Sequence, residues 1–382
     1  MHSIAKHESN DQLPILRLKG APHEMGIEHG RKMRNEIDHN LTVYFRRFRN
    51  ETKLSREQVL QRAAKYLPVI ERVAPDYSEE MKGVAKGSGS DLLDITALNV
   101  RYELMYSQYS KLGVPAISSR TDGCTAFAVE PGMSENGHAL MAQNWDWIPE
   151  VEGLFQRRAN DNEPEVISFT EAGVVGGKIG INSAGLGLLI NGLVSNMDDW
   201  SRLEKPFHVQ CWEILRSKSL EDAIRIVSEG QRSCSANFLL GQQKSLEKAT
   251  IVNVESAPQA VNRLSPESGV IAHTNHFCNP ASVGISQVID EEWRSTLTRY
   301  ERIYNLLNDH IAEHEKLSLE TAKSMLRDHY GRPDSLCRHP NPALAEDDRY
   351  KSVVSVVMDL EDRKLWATDG SPCEDDYRLI GF

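Results

Sequence analysis

The sequence has 382 residues, of which 40% are hydrophobic and 26% are charged. This composition is that of a folded protein with a substantial core, and it excludes a largely disordered chain. The formal net charge of -11 opposes contact with a phosphate backbone, so we expect no nucleic-acid partner. Since the sequence shows no signal-peptide core and no apolar run of about 18 residues, we expect a cytoplasmic protein without a membrane partner.

The first third of the chain has helical periodicity, and strand signals dominate after residue 124. Helices are predicted over residues 25–47, 55–66 with Ser55 as N-cap, 75–86, 209–215, 220–228 and 291–307. Strands are predicted over 124–129, 138–142, 166–170, 237–240, 250–254, 351–359 and 364–368, with two more in 179–190 joined by a turn at 182–185. Because helices and strands are grouped and do not strictly alternate, the order predicts an α+β layered fold.

The spacing of cysteines, histidines and glycines does not predict a metal or cofactor site. The six cysteines are scattered without a C-x-x-C pair. His273 and His276 lie in a predicted loop without a nearby carboxylate, so zinc binding there is not favoured. The stretch from Gly173 to Gly180 is similar to a phosphate loop, but it is one residue short between glycines and has Ile179 where Ser or Thr would bind magnesium. We therefore expect no metal and no bound cofactor.

Cys124 is the best candidate for a reactive residue. An Asp-Gly turn ending at Gly123 precedes it, a strand of small residues follows it, and Asn144-Trp-Asp-Trp lies about twenty residues further on. The alternative is a buried structural cysteine, which is the commoner fate of a free cysteine. Spacing alone does not decide between them.

The surrounding motifs favour a reactive Cys124 over a structural one. The segment Arg120-Thr-Asp-Gly-Cys-Thr-Ala-Phe127, followed by Gln143-Asn-Trp-Asp-Trp147, resembles the isopenicillin-N acyltransferase family of cysteine N-terminal-nucleophile hydrolases. The resemblance continues, in the family's order, through Gly26-Ile-Glu-His-Gly30, Phe169-Thr-Glu-Ala-Gly173, Gly180-Ile-Asn-Ser-Ala-Gly185, His273-Thr-Asn-His276 and Ser335-Leu-Cys-Arg338. It therefore covers nearly the whole chain.

The resemblance implies a four-layer αββα sandwich with a helical N-terminal lobe. It also implies that the chain cuts itself between Gly123 and Cys124. An α chain of residues 1–123 and a β chain of residues 124–382 would then remain together as a heterodimer. Cleavage would free the α-amine of Cys124, which titrates near pH 8 and can serve as the base for its own thiol. Gly123 has no side chain to obstruct the attack. The alternative for the Asp-Gly pair is an ordinary hairpin turn.

Further site residues follow from the same resemblance. Asn275 is the expected oxyanion donor, since an amide stabilises an oxyanion without carrying charge. Asp146, on the strand predicted to pair with that of Cys124, would hold the new ammonium; its alternative is a solvated strand-end carboxylate. Arg338 would favour the thiolate. Weaker candidates are the backbone N–H groups around Asn191 and Gly192 as a second oxyanion donor, Ser235 for processing, and Asn144 beside the substrate.

The resemblance favours an acyltransferase of secondary metabolism that forms an acyl thioester on Cys124 and transfers the acyl group to an amine. Its partners would be a small-molecule acyl donor, which a CoA thioester could provide, and an amine acceptor. If water accepts the acyl group, the same residues make an amidohydrolase of N-acyl conjugates, and the sequence does not choose between these outcomes. A non-catalytic binding module is a third hypothesis, and it would have no need of self-cleavage.

Overall fold

The computed structural model describes residues 12–112, 123–245, 248–285 and 294–382. Its helices are α1 (Pro22–Lys32), α2 (Arg34–Thr52), α3 (Arg56–Val73), α4 (Pro75–Ser88), α5 (Leu92–Asn99), α6 (Arg101–Leu112), α7 (Phe207–Leu215), α8 (Leu220–Glu229), α9 (Arg294–His314) and α10 (Leu319–Leu326). Its strands are β1 (Ile15–Lys19), β2 (Thr125–Val129), β3 (Leu140–Trp147), β4 (Gly153–Ala159), β5 (Val166–Glu171), β6 (Ile179–Asn182), β7 (Leu186–Gly192), β8 (Ala236–Ser245), β9 (Lys248–Ala257), β10 (Ala260–Leu264), β11 (Val270–His273), β12 (Lys351–Asp359), β13 (Lys364–Thr368) and β14 (Arg378–Ile380).

The strands form two sheets that face each other. One has eight strands in the order β1-β4-β5-β6-β7-β8-β9-β10, and the other has six in the order β11-β2-β3-β12-β13-β14. Met141 of β3 fits against the opposite sheet at Gly187 and Gly241, where an added Cβ would lie 2.8 and 2.9 Å from its sulfur. Helices α7 and α8 pack on the eight-stranded sheet, and α9 and α10 pack on the six-stranded sheet. The expected αββα layering is therefore confirmed.

In the N-terminal lobe, helices α1 and α4 pack closely against each other through glycines. Gly26 and Gly30 of α1 lie against Gly83 and Gly87 of α4, and a Cβ on Gly26 would come 2.9 Å from the Cα of Gly83. Backbones this close leave no room for side chains, which explains the Gly-x-x-x-Gly spacing in both helices. The lobe is not purely helical, because β1 pairs in parallel with β4 and forms the edge of the eight-stranded sheet.

Most predicted elements are present, with shifted ends. Ser55 caps α3 by accepting from the Gln58 N–H, and the hairpin of β6 and β7 turns between Asn182 and Leu186 as predicted. The predicted helix 25–47 is instead two helices that meet at Met33. Asp122 of the predicted turn and residues 291–293 of the predicted helix 291–307 lie outside the described residues. No helix in the described part of the chain is long and apolar enough to cross a membrane.

Candidate active site

Cys124 lies at the entry of β2, fully buried between the two sheets. Strand β2 pairs antiparallel with β3, and Thr125 is opposite Asn144. This register brings Cys124 to the end of β3, where its Sγ lies 3.9 Å from the backbone oxygen of Asp146. The predicted pairing of the Cys124 and Asp146 strands is confirmed, and the pairing is the physical reason that two residues 22 positions apart meet.

Gly123 is enclosed by the two charged groups that the sequence predicted for the site. A Cβ built on Gly123 would overlap Nη1 of Arg338 and lie 3.0 Å from Oδ2 of Asp146. Only a residue without a side chain fits there while both groups keep their positions. The bond between Gly123 and Cys124 thus lies beside a guanidinium and a carboxylate.

Ser352 of β12 joins Asp146 to Arg338. Its hydroxyl donates to Oδ1 of Asp146 at 2.7 Å and accepts from the Arg338 backbone N–H at 3.0 Å. The Arg338 guanidinium is in turn held by Asp334 at 2.6 Å. Asp146 has no exposed surface, so the alternative of a solvated strand-end carboxylate is wrong.

Two asparagine side chains line the other side of Cys124. Nδ2 of Asn191 lies 3.3 Å from the backbone oxygens of both Cys124 and His273. Nδ2 of Asn275 donates to the backbone oxygen of Gly192 at 3.1 Å. The structure therefore brings Asn191, Gly192 and Asn275 together as predicted. The contact with Cys124 is made by the side chain of Asn191, whereas the sequence pointed to backbone N–H groups.

Arg299 of α9 is a site residue that sequence reasoning missed. Its Nη1 donates to the backbone oxygen of Cys124 at 2.7 Å and to Oγ1 of Thr125 at 3.1 Å, and its Nη2 donates to Oδ1 of Asn275 at 3.1 Å. Burial lowers its pKa to about 10, although Asp146 acts in the opposite direction. The group therefore stays cationic near neutral pH. An arginine on an amphipathic helix 175 residues from Cys124 gives no sequence signal of this contact.

A buried ion cluster lies next to the site on the side of the eight-stranded sheet. Lys178 pairs with Glu171, which also binds Arg101 at 2.9 Å, and the Lys178 ammonium lies 3.2 Å from the ring centroid of Trp145. Burial is the main cause that lowers the pKa of Lys178 to about 7, and the Arg101 charge adds to it. The charge of a Cys124 thiolate acts in the opposite direction and raises the pKa of Lys178. The glycine-rich stretch that resembled a phosphate loop thus brings a lysine near the thiol.

Two weaker candidates lie elsewhere. Nδ2 of Asn144 donates to the backbone oxygens of Leu326 and Leu336 at 2.8 and 2.7 Å, so it ties β3 to the end of α10 and to the segment before Arg338. Ser235 donates to Oδ1 of Asp198 at 2.6 Å, in a cluster with Ser195. Neither contact involves Cys124.

A cavity of about 800 Å³ opens beside β11 and α9. Tyr300 and Tyr304 line it together with Arg263, Glu267 and Cys278. None of the predicted site residues lines this cavity. The site itself is a closed cluster around Cys124, and the cavity is a separate feature of the described structure.

Comparisons with known proteins match this chain to a family and to related sequences. The family model described as acyl-coenzyme A:6-aminopenicillanic acid acyl-transferase matches residues 133–374, which include Asp146, Asn275 and Arg338. The acyl-coenzyme A:6-aminopenicillanic-acid-acyltransferase 40 kDa form of Emericella nidulans is 27% identical over 95% of this chain and 94% of its own length. An uncharacterised protein of Archaeoglobus fulgidus is 22% identical over 93% of this chain and 63% of its own length.

Solved structures give more distant likenesses. A mutant conjugated bile acid hydrolase from Clostridium perfringens has a TM-score of 0.44 and 11% identity, covering 68% of this chain and 97% of its own. A Caenorhabditis elegans N-acylethanolamine-hydrolyzing acid amidase ortholog has a TM-score of 0.43 and 12% identity, covering 62% of this chain and 93% of its own. These two likenesses are weak ones.

Proposed function

The chain belongs to the acyl-coenzyme A:6-aminopenicillanic acid acyl-transferase family, and on that premise we propose that it is a self-processing enzyme that carries an acyl group on Cys124 and transfers it to an amine. The observation that carries this proposal is the placement of Gly123. The space that a side chain at Gly123 would occupy is taken by the Arg338 guanidinium and the Asp146 carboxylate, and the next residue carries a buried thiol. A cysteine with only a structural role does not require a guanidinium and a carboxylate beside the residue that precedes it.

Self-cleavage begins with attack of the Cys124 sulfur on the Gly123 carbonyl carbon. The peptide nitrogen leaves and takes up the thiol proton, so that a thioester replaces the Gly123–Cys124 amide. Water then hydrolyses the thioester, which leaves a carboxylate on Gly123 and a free thiol and α-amine on Cys124. The Arg338 cation beside Gly123 favours the thiolate and the developing oxyanion.

The freed α-amine serves as the base in the acyl-transfer reaction. It removes the proton from Sγ, and the thiolate attacks the carbonyl carbon of the donor. The C–N or C–S bond of the donor then breaks, its amine or CoA thiol leaves with the proton from the α-ammonium, and an acyl thioester remains on Cys124. The buried Asp146 holds the α-ammonium, and the side-chain amide of Asn275 supplies a neutral donor for the oxyanion. Arg299 fixes this arrangement, since it binds both the Cys124 carbonyl and Asn275. An amine then attacks the thioester and releases the thiol.

The two products of cleavage would remain together as a heterodimer of residues 1–123 and 124–382. Strand β1 pairs with β4 across the cleavage point. The hydroxyl of Tyr44 accepts from Nε1 of Trp147 at 2.7 Å, and Arg101 pairs with the buried Glu171. Separation would expose these groups without their partners, which is costly for buried charges. The two parts are therefore one intertwined domain.

The donor is a small-molecule amide or thioester, such as a CoA thioester, and the acceptor is a small amine of secondary metabolism. No bound cofactor is needed, because the chemistry uses side chains, the α-amine and the substrates. When water replaces the amine, the same acyl-enzyme gives amide hydrolysis. The family to which the chain belongs supports transfer to an amine over hydrolysis.

The acyl-enzyme itself provides the test. The chain is incubated with short acyl-CoA thioesters, quenched in acid, and its 124–382 fragment is analysed by mass spectrometry. We expect the fragment to gain one acyl group on Cys124 and to lose it faster when a small amine is added. Cys278→Ala, a cysteine outside the site, should acylate like the wild type. Acylation of a cysteine other than Cys124 would contradict the proposal, and loss at the same rate with and without amine would favour hydrolysis.

A further inference from the structure

Four metal-binding side chains converge next to the segment that carries Arg338. They are His329, Cys337, His339 and Cys373, and their ligand atoms all lie within 4.8 Å of one another. Nε2 of His339 lies 3.1 Å from Nε2 of His329, 3.5 Å from Sγ of Cys337 and 3.3 Å from Sγ of Cys373. The two sulfurs are 3.5 Å apart. We refer to these four residues as the Cys₂His₂ cluster.

Four of the six separations between ligand atoms are close to the edges of a small tetrahedron, and the other two are at most 4.8 Å. With Zn–S bonds of about 2.3 Å and Zn–N bonds of about 2.05 Å, tetrahedral coordination puts the ligand atoms about 3.3 to 3.8 Å apart. The four measured separations, from 3.1 to 3.5 Å, are within a few tenths of an ångström of that range. Two thiolates and two imidazoles are also the donor set that selects Zn²⁺ over magnesium or calcium.

The cluster lies at the edge of the protein interior. Cys337 is fully buried and His339 is 9% exposed, whereas His329 is half-buried and Cys373 is exposed. Oε1 of Glu374 lies 3.4 Å from Nδ1 of His339, the ring nitrogen that does not face the cluster. A carboxylate on the distal nitrogen fixes the ring and its tautomer in many zinc sites. The backbone of the cluster is tied to β3 through the contact of Asn144 with Leu336.

We infer that the Cys₂His₂ cluster binds one Zn²⁺ as a structural site. Both thiols lose their protons on binding, and the four protein ligands leave no position open for water or substrate, so the metal has no part in the chemistry. The ion joins the stretch from His329 to His339, which carries Arg338, to Cys373 further along the chain. Because Arg338 lies between two ligands, Cys337 and His339, the metal fixes the backbone that bonds Ser352.

The test is the metal content of the full-length chain, expressed with zinc in the medium and passed over a weak chelating resin. We expect about one zinc per chain in the wild type. Cys373→Ser and His329→Ala should lose it. Cys278→Ser controls for zinc held at the other nearby group of Glu255, His273 and Cys278, and Cys124→Ala controls for zinc on the nucleophile. Both control variants should keep the metal.

Cobalt provides a readout that does not depend on any variant. Co²⁺ added to metal-free wild type should give strong thiolate-to-cobalt absorption with the intensity of a tetrahedral site. Wild type that holds no zinc and shows no such absorption overturns the inference. A Cys337–Cys373 disulfide in peptides mapped without reduction also overturns it, and so does zinc that is lost in Cys278→Ser but retained in Cys373→Ser. The outcome of these metal-binding experiments does not depend on whether the chain cleaves itself after Gly123.

Discussion

Replacing Gly123 by alanine adds one methyl group at the point where the processing site is tightest. That methyl would overlap the Arg338 guanidinium and press on Asp146 at 3.0 Å. The Arg338 guanidinium is held by its ion pair with Asp334, so a shift that makes room for the methyl group weakens that pair. A hydrogen bond to a charged group contributes roughly 1.5 to 3 kcal/mol. Loss of one such contact at the scissile bond therefore slows self-cleavage roughly 10- to 150-fold.

The assay is a time course of intact mass after cell-free synthesis of the chain, with the folded state checked by circular dichroism. Gly132→Ala is the matched control, because nothing lies within 4 Å of a Cβ at that position. Gly132→Ala should process like the wild type. Processing of Gly123→Ala at the wild-type rate would refute the close placement of Arg338, and equal slowing in both variants would show that the effect is not local.

Three further predictions concern the charged groups of the site. Arg299→Lys keeps the charge but cannot bridge Cys124 and Asn275, so acyl-enzyme formation should fall roughly ten- to hundredfold in stopped-flow assays, and an unchanged rate would refute the bridge. Asp146→Asn keeps an oxygen for Ser352 but removes the charge; the variant should fold normally and acylate more slowly, and wild-type kinetics would contradict the assigned role. The folded pKa of Lys178, about 7, lies below its ordinary value of 10.5, so the unfolded chain binds more protons between these values and the free energy of unfolding should rise with pH there. In urea titrations between pH 7 and 10.5, the free energy of unfolding of Lys178→Met should not show this rise. If the variant retains the rise, another group causes it.

Local sequence signals identify the elements that carry the nucleophile. The Ser55 cap and the 179–190 hairpin follow from short-range patterns, the pairing of the Cys124 and Asp146 strands follows from the family resemblance, and the structure contains all three. Strand β1 is missing from the prediction although Leu16 and Leu18 alternate with exposed residues; the strand has only five residues, and its partner β4 lies far along the chain. Such pairing depends on tertiary packing, which the local pattern does not encode.

The parts of the site that the sequence did not predict are those assembled by packing between distant segments. Arg299 reaches Cys124 from a surface of α9 that has no motif, and the glycine-rich stretch that contains Lys178 gives no signal besides a poor match to a phosphate loop. Three ligands of the Cys₂His₂ cluster lie between His329 and His339 and the fourth is Cys373, and this spacing matches no zinc pattern. The role assigned to each of these residues remains a prediction for the experiments above.

The most direct test of self-processing is the intact mass of freshly purified wild type beside its Cys124→Ala variant. Cleavage after Gly123 divides the 43.0 kDa chain into fragments of about 14 and about 29 kDa, in proportion to their lengths. We predict both fragments in the wild type, with Cys124 at the new amino terminus, and an intact Cys124→Ala chain. A wild-type chain that stays whole while it transfers acyl groups would contradict the account, because the α-amine of Cys124 would then not exist to act as the base.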